Sequence, residues 1–359
     1  MSESRLVHAE ALQTFTAEVV RAIGAGAETA DQVARHLVTA NLCGHDSHGV
    51  LRLSQYVEEA DRGDLVPAAE PELLRESAVC ALLDARRGFG HRSTMVAADW
   101  VARHAREHGL AAAAVRHSTH IGRLGEYTER LAGEGLVGLV TVGSAGPGGG
   151  TVAPFGGAAR FLGTNPWSIG VPAGGRPPLI FDAATSTIAE GKARLARARG
   201  AEVPEGTLRG PDGRPTRDPA QLYAGGTLTV LGGEVAGHKG FGLSLAAALL
   251  GGLAMIGDPN PTSAGTTRSP GTEGRRLAGV FLVAIDPSAF GETLEYQREV
   301  AVVLDAVSAV VPLAGVERVL VAGDPERASR ERRQREGIPI PPATWDDLLA
   351  VGSRFRLSL

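Results

Sequence analysis

Five of the ten histidines fall in three short motifs, and these hold most of the side chains able to move a proton or grip an anion. His45 and His48 lie in Gly44-His45-Asp46-Ser47-His48-Gly49, His117 and His120 in His117-Ser118-Thr119-His120-Ile121-Gly122, and His238 precedes Lys239. An imidazole titrates near neutrality and can give or take a proton, and the Ser47 hydroxyl can orient its neighbour His48. A glycine-bounded loop between two helices suits such a site, although a loop histidine capping the next helix is the structural alternative. Arg52 follows His48 by four residues, so a helix beginning near Gly49 points both the same way. A guanidinium there suits a substrate carboxylate, held while the histidine acts on the oxygen of the adjacent carbon. One more surface arginine is the other reading. The two H-x-x-H pairs also admit zinc, with Asp46 as a further ligand, but neither forms the H-E-x-x-H helix pattern.

Of the 36 basic residues only Lys192 and Lys239 are lysine; the rest are arginine. Lysine offers a compact charge and rotatable donors that arginine does not reproduce, so these two positions are candidates for function. Lys192 follows Gly191 and Lys239 precedes Gly240, and each is expected at a helix start, where backbone donors gather around anions. The net charge of −4 argues against a nucleic-acid or anionic-membrane partner. Two cysteines, Cys43 and Cys80, are too few for a disulfide framework, and Met1 to Ala11 has no apolar core of a signal peptide, so a cytoplasmic protein is expected. Gly240 to Gly257 is 18 residues without a charge, but its five glycines read as a buried helix of a protein core rather than a membrane span.

The elements that position these residues alternate in type. Leu12, Phe15, Val19 and Ile23 predict a first helix, Thr29 to Cys43 a second, and Leu53, Tyr56, Val57 and Ala60 a third starting near Val50. Strands are expected at Cys80–Asp84, Leu110–Val115, Leu136–Val142, Leu179–Asp182, Val280–Ile285 and Val316–Val321. Helices are expected around Met95–Val101, at 124–133, up to about 199, from Gly240, and at 293–309. Residues 143–159 and 200–219 read as turns, 258–276 as a polar loop, and the last 35 residues as charged helix and tail. This is an α/β chain. Its expected division is a central domain at 76–235, a second formed by 1–75 with 236–340, and a tail at 341–359.

Ligands gather where strands end, which singles out Asp182 in Phe181-Asp182-Ala183-Ala184-Thr185-Ser186; a helix cap is its other reading. The Rossmann fingerprint, G-x-G-x-x-G after a first strand, does not appear: Gly143-Ser144-Ala145-Gly146-Pro147-Gly148 follows a strand but has a different glycine order and no clear helix after it.

Taken together, these residues resemble the type-2 malate/L-lactate dehydrogenase family, over roughly residues 5–340. The carrying motifs are Asp46-Ser47-His48-Gly49 with Arg52 and Tyr56, His117-x-x-His120-Ile121-Gly122, Pro154-Phe155-Gly156-Gly157, Gly163-Thr164-Asn165-Pro166, Asp182-x-Ala184-Thr185-Ser186 with Gly191-Lys192, and Lys239-Gly240-x-Gly242. The resemblance implies an NAD(P)-dependent oxidoreductase with a non-Rossmann α/β fold, a mixed sheet flanked by helices, and a homodimer. It implies hydride transfer between NAD or NADP and C2 of a small 2-hydroxy/2-oxo acid, with reduction of a cyclic imine carboxylate as the alternative. A metal-dependent hydrolase on the H-x-x-H pairs is the reading from another class.

By the same likeness His48, beside Ser47, is the expected proton donor or acceptor, and His120 is its rival. Arg52 and Thr164 would hold the substrate, and Lys192 would stabilise negative charge. His120, Ile121, Gly122, Arg123 and Leu124 would line the nicotinamide side with Ser144, Asp182, Ala183 and Ala184. Lys239, Gly240, Gly323, Asp324 and Arg327 would contact the cofactor elsewhere. Lysine at 192, where the compared imine reductases carry an acid, favours the 2-oxo acid.

Overall fold

The stripe of Leu12, Phe15 and Val19 becomes the buried face of α1, Ala9–Ala22, in the computed structural model. The structure describes residues 4–198, 200–258 and 277–359. The polar loop expected over 258–276 lies, from 259 onward, outside the described residues. Helix α2, Ala27–Leu42, starts ahead of the expected Thr29, whose hydroxyl donates to Glu70 instead of capping. Two short 3₁₀ turns follow, Asp46–His48 and Val50–Arg52, and only then α3, Leu53–Asp61. His48 and Arg52 therefore do not share a helix, contrary to expectation.

Strand β1 is Arg5–Val7, β2 Glu72–Glu76 and β3 Cys80–Asp84. Next come α4 (Gly90–His108), β4 (Leu110–Arg116), α5 (Gly125–Gly133), β5 (Val137–Ala145), β6 (Trp167–Val171), β7 (Leu179–Ala183) and α6 (Glu190–Ala198). The turn-dense stretch holds β8 (Leu208–Arg209), β9 (Pro215–Thr216), α7 (Ala220–Tyr223) and β10 (Thr227–Leu228). The chain continues through α8 (Gly233–Gly251), β11 (Leu277–Ile285), α9 (Thr293–Ser308), α10 (Asp324–Glu336), β12 (Ile338–Ile340) and α11 (Pro342–Phe355).

Seven strands form one mixed sheet in the order β2-β3-β4-β11-β5-β6-β7. Only β3 and β4 run parallel; the other neighbours are antiparallel. Helices cover both faces, as β5 shows. A Cβ on Gly138 would come within 2.7 Å of Leu131 on α5. One on Gly143, on the opposite face by strand alternation, would come within 2.3 Å of Ala247 on α8.

The expected division needs correcting in two places. Strand β11, assigned to the second domain, pairs along its whole length with β5 and from Val280 to Ile285 with β4, at the centre of the sheet. Residues 341–359 are no tail: Leu348 and Val351 of α11 join the core of α1, α2 and α3, and Gly352 lies 3.1 Å, by its absent Cβ, from the Phe15 ring. The expected strand at Val316–Val321 is irregular chain, with Val316 and Leu320 exposed rather than paired. Helix α8 begins at Gly233, one to two turns before the expected Gly240, so Lys239 and Gly240 lie inside it and not at its N-terminus. Its glycines allow this close packing: Gly237 faces Phe155 and Val230, and Gly240 faces the Leu231 backbone. Among the described residues, no helix is long and apolar enough to cross a membrane.

Candidate active site

The turn after α2 is built around one buried amide. Asn41 accepts from the Val50 N–H at 2.9 Å and donates to Asp46 at 2.7 Å, tying both ends of the loop to α2. Gly49 passes so close that a Cβ would sit 2.2 Å from Asn41 Oδ1. Arg333 of α10 clamps the same Asp46 from outside. The loop is thus rigid, and it carries Ser47 and His48 half-buried.

Ser47 Oγ lies 3.0 Å from His48 Nδ1, which leaves Nε2 as the reacting nitrogen. Arg52 turns back over the loop, donating from Nε to the Ser47 carbonyl at 2.8 Å and from a terminal nitrogen to Gln55 at 2.7 Å. The His120 ring stacks on His48, with centroids 5.5 Å apart and planes 17° apart. His120 Nδ1 in turn meets the Tyr56 hydroxyl at 2.7 Å, so this ring too has Nε2 uncommitted. Two neutral imidazoles thus sit side by side with a guanidinium next to them. Burial, then the Arg52 charge, brings His48 down to about 3. Burial first and Arg52 second also hold His120 well below its ordinary value. A negative charge placed beside Arg52 would offset the second of these causes in both rings, leaving burial as the first.

Beside the stack, the chain from Ile121 to Leu124 is buried and pinned. The Arg123 N–H donates to His36 Nε2 at 2.9 Å, and Tyr127 donates to the Ile121 carbonyl. Gly122 takes φ 73°, and a Cβ there would lie 2.2 Å from His36 Nε2. Asp182, at the end of β7, accepts the Gly125 N–H at 2.7 Å, and burial pushes its carboxyl up against the opposing pull of Arg123. Arg123, 1% exposed, pairs with Glu129 and, from Nε at 4.0 Å, with Asp182, while Nε and one terminal nitrogen make no hydrogen bond. Buried N–H groups that make no hydrogen bond suit a polar ligand.

The start of β7 receives the C-terminal segment, since the Ile180 N–H donates to the Ala322 carbonyl and Arg327 reaches the Pro178 carbonyl. Gly323, at φ 99°, caps α10, whose first turn carries Asp324 and Arg327 paired together. Ser144 is held through its backbone by Asn165, whose amide also bridges to Ser244 on α8. Thr164 is fixed by its carbonyl, which accepts from the Thr185 N–H and hydroxyl.

Thus Arg123 and Asp182 come together, the 323–327 turn packs against the start of the same strand, and Ser144 accepts the Gly163 N–H next to Thr164. The lysines fare differently. Lys192 is exposed, and its tie to the site is Gly191, where a Cβ would lie 2.7 Å from Ser47 Cβ. Lys239 is exposed on α8, with no contact to the histidine stack shown. The H-x-x-H pairs diverge: His45 meets Glu326, and His117 lies between Asp84 and Asp258. Among the described residues the one trio spaced to hold a metal is His104, Glu107 and His108, on the outer face of α4. Sequence reasoning missed His36 and His91, which stand in no motif. His36 sits in the apolar stripe of α2 and His91 in the first turn of α4, both fully buried.

A family model described as malate/L-lactate dehydrogenase matches residues 7–349. The chain belongs to that family. Hydroxycarboxylate dehydrogenase B of Escherichia coli is 33% identical over 346 residues, 96% of this chain and 93% of that protein. Delta(1)-pyrroline-2-carboxylate reductase of Ancylobacter novellus is 34% identical over 335 residues, 93% of each. The crystal structure of malate dehydrogenase from Entamoeba histolytica superposes with a TM-score of 0.90 at 26% identity, covering 99% of both chains. The family's members are dehydrogenases and reductases, so the chain is an oxidoreductase using a nicotinamide cofactor. Its sheet is mixed, and its one G-x-G-x-x-G stretch, Gly133 to Gly138, runs from α5 into β5 rather than from a strand into a helix, so the fold is the family's own and not a Rossmann domain.

Proposed function

We propose that the protein interconverts a small 2-oxo acid and its 2-hydroxy acid at the paired imidazoles, with His48 as acid–base and Arg52 as carboxylate anchor. The stacking of His48 on His120 beside Arg52 carries this reading. Nicotinamide, when bound, supplies or accepts the hydride. Ile121 to Leu124, Ser144, Asp182 to Ala184, Gly323, Asp324 and Arg327 would hold the cofactor, and the buried Arg123 nitrogens that make no hydrogen bond support that assignment, whereas Lys239 is exposed and Gly240 packs on Leu231. Arg52 binds the substrate carboxylate with the guanidinium nitrogen not used on Ser47 and Gln55, and Thr164 assists. In reduction His48 Nε2 delivers a proton to the oxygen on C2; in oxidation the neutral ring takes it back. Ser47 Oγ keeps the ring turned so that Nε2 does this. Lys192, on the rim, meets negative charge at the mouth of the site.

Reduction of a cyclic imine carboxylate is the second reading, because the pyrroline-2-carboxylate reductase is as similar as the hydroxycarboxylate dehydrogenase. The same Arg52 and His48 would serve C=N as well as C=O. An NADH and NADPH oxidation screen over 2-oxo acids and cyclic imines separates the two and also gives the cofactor preference.

The reading includes a homodimer and a cytoplasmic location. The uncharged run from Gly240 is only half-buried in one chain: Leu249 is 54% and Ile256 67% exposed. A second copy seated there would remove them from water. Leu249→Glu is expected to give monomers by light scattering, and a persisting dimer would place the interface elsewhere. Cys43 and Cys80 are both unpaired, which suits a reducing compartment.

A further inference from the structure

Behind His120 stand two groups that the proposed reaction does not use. The Tyr56 hydroxyl lies 2.7 Å from His120 Nδ1 on one side and 3.5 Å from His91 Nε2 on the other. Tyr56 is 1% exposed and His91 is 0% exposed. The rings interlock, with Tyr56 edge-on to His91 at 5.7 Å and His91 edge-on to His120 at 6.0 Å. His91 Nδ1 has no hydrogen-bond partner.

One hydroxyl proton is shared between two imidazoles, so only one of them can receive it. The short contact identifies the recipient: a ring nitrogen is the better acceptor, and 2.7 Å is the length of a hydroxyl donating strongly. The longer contact then runs the other way, from His91 Nε2–H to the phenol oxygen. This arrangement leaves His91 Nδ1 bare, as its lack of any partner requires. The reverse arrangement would bury an unpaired N–H at that nitrogen. If Tyr56 donates to His120 Nδ1, the single proton of neutral His120 must be on Nε2.

The geometry points to Tyr56 and His91 as positioning residues that hold His120 in its Nε2–H tautomer, presenting a hydrogen-bond donor to the reacting oxygen or nitrogen of the substrate. On this assignment His120 polarises the C=O or C=N while His48 moves the proton, which gives the two stacked rings separate tasks. The inference rests on the proposed reaction for its purpose. Its geometry can be tested without any substrate.

The test is long-range ¹H–¹⁵N correlation of the histidine rings in the whole protein at pH 7.5, with His120 assigned from a His120→Gln sample. The Nε2–H pattern for His120 is expected. Tyr56→Phe, which removes one oxygen, should shift it toward a mixture of tautomers. His91→Leu should do so partly, and His91→Gln, which restores a donor, should return the wild-type pattern. The same variants are then assayed for NADH and NADPH oxidation with pyruvate, oxaloacetate and pyrroline-2-carboxylate. Tyr56→Phe should lower kcat by about tenfold to a hundredfold, less than loss of a proton carrier itself. An Nδ1–H pattern in the wild type, or an unchanged pattern in Tyr56→Phe, overturns the inference. The expected tautomers with no reduction of any of these substrates would leave the geometry standing and count against the reaction.

Discussion

Acidification should unfold this protein early, and one histidine allows the effect to be worked through. His91 is fully buried, and burial alone brings its imidazole down to about 3. In the unfolded chain it titrates near about 6.5. Between those values the unfolded state binds a proton that the folded state refuses. Stability is therefore present above about pH 6.5 and lost as the pH falls below it. From pH 7 to pH 5 this amounts to about 2 kcal/mol, because the slope per excluded proton is about 1.4 kcal/mol per pH unit. His36, His48 and His120 act in the same direction, being lowered chiefly by burial. Glu126 opposes them. Burial pushes it up to about 7, so the folded state takes up its proton first on acidification. The assay is urea unfolding followed by circular dichroism at pH 7, 6 and 5, for wild type and His91→Phe. The variant removes one excluded proton, so its stability should fall by about 2 kcal/mol less than that of the wild type over this range. Parallel losses in the two proteins would mean that His91 is protonated in the folded state, and the reasoning would fail.

Three further outcomes follow from named contacts. His48→Ala should lower turnover by about 10²–10⁴-fold with cofactor affinity retained, read by steady-state rates and NAD(P)H fluorescence titration. Gly191→Ala forces a Cβ to within 2.7 Å of Ser47 Cβ, so it should cost more activity than Lys192→Arg, whose side chain is exposed; equal activities would detach α6 from the site. Gly122→Ala combines φ 73° with a 2.2 Å approach to His36, and thermal unfolding should show a loss of at least about 2 kcal/mol.

The sequence was most informative where side-chain chemistry and local spacing agree. The Leu12–Phe15–Val19 stripe, the valine-rich β5 and the Ser47-His48 loop could all be read directly, because each is fixed by neighbours a few residues away. Arg52 was recognised for its charge, but its geometry was not, because Gly49 gives way to Asn41 and breaks the expected helix into 3₁₀ turns. The start of α8 was misjudged because glycine normally ends helices, whereas here Gly237 and Gly240 exist for close packing. Strand β11 could be recognised as a strand but not located, since its pairing with β4 and β5 spans well over a hundred residues. His91 and His36 were invisible for the same reason: burial beside Tyr56 and Gly122 is created only when α2, α3 and α4 meet.

The central claim is that a nicotinamide-dependent reduction takes place beside His48 and Arg52. The most direct measurement is the oxidation of NADH and NADPH by the purified protein, with a panel of 2-oxo acids and cyclic imine carboxylates, repeated on His48→Ala and Arg52→Ala. The account predicts turnover with at least one 2-oxo acid. It also predicts a collapse of kcat in the first variant and a large rise in KM in the second. Turnover of imines alone would contradict the 2-oxo acid assignment, and full activity in His48→Ala would remove the proposed acid–base from the mechanism.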